Sequence, residues 1–139
     1  MIEIDNRTSL EIDELFLNTI TKEFTKKDIE LIVTNNNEIK KINKEHRSID
    51  KDTDVLSFPY EDMPMSPLGS IVISAEHVQT KADELGHTNS DEFVLLFIHG
   101  LLHLIGFDHE VDNGQMREEE ERVIKKFNLP KSLIIRNNG

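Results

Sequence analysis

Apolar and polar positions along the chain follow two periods, and the switches between them lay out the elements. "IEI" (Ile2 to Ile4) alternates like a strand, and "TSLE" (Thr8 and Glu11) then has the spacing of a helix capping box. Ile12, Phe16, Ile20 and Phe24 recur every fourth residue, which predicts a helix with one apolar stripe ending near Lys26. "IELIVT" (Ile29 to Thr34) is rich in β-branched residues and reads as a second strand, "NNEIKKINKEH" as a short helix, and "DVLSFP" (Asp54 to Pro59) as a third strand closed by proline. "EDMPMSPLG", with Pro64, Pro67 and Gly69, is expected to be a mobile loop.

"SIVIS" (Ser70 to Ser74) makes a fourth strand, and Ser74 can cap a helix that runs to Gly86, where glycine suits a left-handed exit. "TNSDEFVLLFIHGLLHLIG" predicts a helix capped near Asn89 or Ser90, with Asp91 and Glu92 in its first turn and Gly106 past its end. It is apolar nearly all round and should therefore run through the middle of the fold. A last helix is expected from about Asp112 to Phe127, followed by a short tail. Strands and helices interleave, which predicts an α+β layered domain: a small mixed sheet of about four strands packed with helices around a central apolar helix.

Composition narrows the chemistry. The 139 residues, 37% of them hydrophobic, suit one core, with no linker, low-complexity segment or repeat, so residues 1–139 are expected to form a single domain. A formal net charge of −11 argues against coating nucleic acid through a general positive field, so any contact with nucleic acid must be local. With no cysteine, a transition-metal site must use His with Asp or Glu. The start lacks the basic and then apolar order of a signal peptide, and the apolar run from Phe93 to Phe107 is too short to span a bilayer. A soluble, cytoplasmic protein without membrane contact is the expectation.

The candidate chemistry lies in "HGLLHLIGFDHE". His99 and His103 stand one helical turn apart and face the same way, and Gly106 ends the helix so that a tight turn can return His109 to the pair. Three nitrogens leave an open coordination position, the mark of a catalytic zinc site. The competing reading is a set of core histidines bonded to backbone. Three of the six histidines within eleven residues, with glycine at the turn, favour metal. His46, His77 and His87 stand in polar surroundings and are expected to be solvated. Asp108 fits a partner of the third ligand, a proton acceptor, or a simple cap for the next helix.

The pattern H-x-x-x-H-x-x-G-x-x-H has the ligand and glycine spacing of metzincin peptidases. Those enzymes place their general base, a glutamate, where this chain has Gly100. Peptide hydrolysis by that route is therefore not expected, and glycine here is read as leaving space beside the metal for a bulkier reacting centre such as a phosphodiester.

At this point a resemblance adds what spacing cannot. The blocks "HGLLHLIGFDHE", "INKEHRSIDKDTDVLSFP" and "LGSIVIS" resemble those of the YbeY family of bacterial endoribonucleases, also called rRNA maturation factors, from Ile42 to Glu110. The resemblance implies a zincin-like fold with one zinc per chain on His99, His103 and His109, and it implies that Arg47 is an active-site cation. It further implies cleavage of single-stranded RNA in ribosomal RNA processing, including the 3′ end of 16S rRNA, and in ribosome quality control. The partners implied are ribosomal RNA, the small ribosomal subunit and assembly factors, with no DNA. Ser70, Phe107 and Ser48 depart from the family's usual aspartate, tyrosine and glycine.

Lys40, Lys41, Lys44, Arg47 and Lys51 gather five of the sixteen basic residues into twelve positions, while Glu118 to Glu121 concentrate acid elsewhere. A guanidinium at position 47 could hold a phosphate by two bonds and stabilise charge at phosphorus. Its bland alternative is a surface pair with Asp50 or Asp52. Two rival functions share the histidines: another zinc metallohydrolase of peptidase or amidase type, and a ribosome-assembly binding module without turnover.

Overall fold

A computed structural model describes residues 1–61, 63–107 and 114–130. The elements in chain order are β1 (Ile2–Asn6), α1 (Glu14–Lys22), β2 (Ile29–Thr34), α2 (Asn36–Arg47), β3 (Val55–Pro59), β4 (Gly69–Ser74), α3 (Ala75–Leu85), α4 (Asn89–Leu104) and α5 (Gln115–Lys126). The expected class, α+β with a mixed four-stranded sheet, is the one observed. Strand order is β1-β2-β4-β3; the first three run parallel and β3 is antiparallel at the edge.

Alternation along the strands sorts their side chains to two faces. Leu31 and Val33 of β2 and Ile71 and Ile73 of β4 are fully buried in a cluster shared with Phe97, Ile98 and Leu101 of α4. Leu17 of α1, Val78 of α3 and Val123 of α5 complete that cluster, so α4 lies against the sheet with three helices around it. The opposite face carries Ile32, Leu56 and Val72 and is covered by Ile39 and Ile42 of α2.

Two expected caps hold: Ser74 caps α3, and Gly86 leaves α3 with φ 74°. At the start of α2, where no cap was expected, Asn35 accepts from the Glu38 N–H. Two differ. Thr8 does not begin a helix: its hydroxyl donates to Asn6 Oδ1 at 2.8 Å and its oxygen accepts from the Leu10 N–H, a local turn that competes with helix. The helix α1 starts later, with Asp13 accepting from the Phe16 N–H, and ends at Lys22. Thr88, one residue before the expected cap, accepts from the Asp91 N–H and caps α4. The expected start of the last helix at Asp112 and the tail from residue 131 lie outside the described residues.

Candidate functional site: a cleft between α4 and the β3 edge

Between Glu92 and Leu104 every residue of α4 is buried except His99 and His103. An otherwise buried helix thus opens at two imidazoles one turn apart, with ring centroids 4.8 Å apart and planes at 75°. Both line a cleft of about 720 Å³ whose opposite wall is the free edge of β3 and the last turn of α2, with Val55, Ser57, Phe58, His46 and Arg47. His109 and Asp108 lie outside the described residues, so the geometry concerns two of the three expected ligands. Among the described residues no group of three or more His, Asp or Glu side chains is placed to hold an ion.

A carboxylate stands behind the first imidazole. Glu120 of α5 is only 2% exposed, and its Oε1 lies 2.6 Å from His99 Nδ1. An ionised Glu120 accepts the Nδ1 proton, which leaves the Nε2 lone pair for a cation. Two neighbouring imidazoles on one helix face, one of them backed by a buried carboxylate, suit a borderline-soft divalent ion such as zinc. Acid at 118–121 is therefore not all remote from the site. Its signal was available: Met116, Glu120, Val123 and Ile124 are the buried residues of α5, at the spacing of one helical face. Glu120→Gln keeps the shape and removes the charge. It should weaken zinc binding by about tenfold to a hundredfold, measured by competition with a chromogenic chelator, while the fold persists.

Gly100 has a different role from the one expected. A Cβ there would meet Ile71 Cγ2 at 3.0 Å and Ser57 Oγ at 3.1 Å, so the position faces the sheet and not the open cleft. Glycine lets α4 approach β3 closely enough for Ser57 Oγ to donate to the Gly100 carbonyl at 3.0 Å. This stitch sets the width of the cleft; it does not create room beside a metal. A glutamate at 100 would be driven into the core instead of serving as a base. Gly100→Glu should destabilise by more than about 3 kcal/mol, the scale for an uncompensated buried charge, and calorimetry should show the melting temperature fall accordingly.

Arg47 ends α2 and lines the cleft. The carboxylates that might have engaged it are near other groups: Asp50 Oδ1 lies 4.0 Å from Lys40 Nζ, and Asp52 Oδ2 lies 3.1 Å from His77 Nε2. Among the described residues Arg47 forms no ion pair. Ser48 is the left-handed cap of α2 with φ 58°, a conformation glycine enters without strain. Ser70 is buried on β4, opposite Phe58 of β3, and is not part of the cleft wall.

The other histidines are not simply solvated. The His87 side chain is 3% exposed, with Nε2 2.8 Å from Oε1 of the buried Glu92. His77 is held by Asp52, and His46, though exposed, lines the cleft with its ring against Phe58. Polar neighbours in sequence concealed that the start of α4 folds over His87 and that the last turn of α2 faces β3.

Residues 2–128 match the family described as Endoribonuclease YbeY. The chain belongs to that family. The Endoribonuclease YbeY of Sulfurimonas denitrificans is 63% identical over 139 residues, covering 100% of both chains, and that of Helicobacter pylori is 52% identical over 137 residues, covering 98% of each. The solution structure of TM1509 from Thermotoga maritima is similar in fold, with a TM-score of 0.61, 27% identity and 92% of both chains covered. The YbeY resemblance seen from Ile42 to Glu110 thus extends over nearly the whole chain. Among the described residues no helix is long and apolar enough to cross a membrane.

Proposed function

We propose that the protein is a zinc-dependent endoribonuclease that cleaves single-stranded RNA during ribosomal RNA maturation, including the 3′ end of 16S rRNA, and in ribosome quality control. The observation that carries this reading is the shared cleft: a guanidinium without an ion-pair partner among the described residues opens onto the same space as two convergent imidazoles. Family membership supports the substrate class. Residues 1–139 act as one metal-dependent hydrolase domain in the cytoplasm, and the small ribosomal subunit with its assembly factors presents the strand. That role for a particle follows from a net charge of −11, which opposes tight general binding of RNA.

In this reading His99, His103 and His109 hold one zinc, and Glu120 fixes the orientation of His99. A zinc held there would supply Lewis acidity to the reacting phosphate or to an attacking water. Arg47 binds the scissile phosphate through two N–H donors and offsets the charge that develops at phosphorus. The Ser57–Gly100 stitch holds the two walls apart at a fixed distance, so that the phosphate meets Arg47 and the imidazoles together. A peptidase reading is disfavoured because Gly100 faces Ile71 and Ser57, leaving the usual base without a place in the cleft.

The test is multiple-turnover cleavage of a single-stranded RNA oligomer, of the same oligomer in duplex form, and of a denatured protein, each with a metal-stripped control. Cleavage of the single strand alone, lost on stripping and restored by zinc, is expected. Cleavage of the denatured protein but not of RNA would establish the peptidase alternative. Stoichiometric RNA binding without turnover would establish a binding module.

A further inference from the structure

We infer that His46, backed by Phe58, is a stacking platform for a nucleobase next to the phosphate held by Arg47; this deepens the ribonuclease reading and rests on it. The last turn of α2 is held firmly. The Ser48 N–H donates to the Lys44 carbonyl at 3.1 Å, and the Asn43 side-chain amide donates to the Lys51 carbonyl at 3.0 Å, tying the helix end to the segment that follows. The two residues before the Ser48 cap, His46 and Arg47, both face the cleft.

The His46 imidazole is exposed, with its centroid 5.2 Å from the Phe58 ring and the planes tilted by 55°. Phe58 in turn packs against the buried cluster of Ile39, Leu56 and Val72, so the aromatic pair is supported from the core outward. An aromatic ring with a rigid backing, beside a guanidinium, matches the two parts of a nucleotide: a flat π-face and a phosphate. Bases in a duplex are stacked on one another, so a platform that needs a splayed base favours single strands. The bland alternative is that His46 merely shields Phe58 from water.

The experiment uses a short single-stranded oligoribonucleotide carrying 2-aminopurine at one position at a time, whose fluorescence is quenched by stacking, read on mixing before cleavage. One position should be quenched by the wild type and by His46→Phe, and unquenched by His46→Ala. In steady-state cleavage, His46→Ala should raise KM by about tenfold, within the range for loss of one stacked base, with kcat within about twofold. His46→Phe should restore KM, and an abasic nucleotide at the quenched position should raise the wild-type KM to the His46→Ala value. No quenched position, equal quenching with His46→Ala, or a His46→Phe variant as defective as His46→Ala would each overturn the platform. Failure of the ribonuclease reading is distinguishable, because the fluorescence readout needs binding and not cleavage.

Discussion

Arg47→Ala should keep its zinc and its fold and lose cleavage by about two to three orders of magnitude, the usual effect of removing one oriented charge donor from a transition state. The residue is exposed at the end of α2, so its truncation leaves no cavity and no orphaned buried partner. Arg47→Lys should recover only part of the loss, since an ammonium retains the charge without the planar fork that grips two phosphate oxygens. The opposing expectation is a surface arginine engaged with a nearby carboxylate, an interaction typically worth under about 1 kcal/mol. Near-wild-type kcat/KM for Arg47→Ala on a ribosomal RNA precursor would take Arg47 out of the active site and leave the zinc assignment standing.

The second large effect concerns the metal. Purified protein should carry about one zinc per chain, and His103→Ala should lose most of it along with RNA cleavage. His103 is one of the two positions at which the buried stretch of α4 opens to the cleft, so alanine there removes a donor without hollowing the core. Folding should nonetheless become less favourable, because a ligand bound only to the native state stabilises it by about 2.7 kcal/mol when present at a hundred times its Kd. Elemental analysis with a zinc titration of stripped protein decides the matter: a wild type that neither contains nor takes up zinc would remove the three-histidine assignment altogether.

The strands and α4 were legible because burial dictates their patterns directly. "IELIVT" and "SIVIS" are central strands, and an apolar run too long for a strand and too short for a membrane became the helix at the centre. The pairing of His99 with His103 followed from helical geometry alone. Less legible were features decided by what faces a residue across the fold. The capping signal at Thr8 lost to a turn around Asn6, a choice between two local hydrogen-bond sets of similar strength. Glu120 sits in an acidic run that reads as a solvated face until Met116, Val123 and Ile124 fix which side is buried. Gly100 reads as space when only the helix is considered, and as close contact once Ile71 and Ser57 stand opposite it.

An outermost strand bordering an open cleft is also an opportunity for unwanted strand pairing between molecules. At the two ends of β3 the Asp54 carbonyl accepts from the Ser74 N–H at 2.9 Å and the Tyr60 N–H donates to the Leu68 carbonyl at 3.1 Å, so the peptide groups of Val55, Ser57 and Pro59 point outward. The Val55 N–H is taken by Asp54 Oδ1 at 2.8 Å, and Pro59 has no N–H. Among the described residues only the Ser57 N–H is left as an outward donor on this five-residue strand, too few to template another chain. This edge can thus border an open cleft while resisting the growth of intermolecular sheets through it, so strand pairing at β3 should be rarer than at a fully donating edge of the same length.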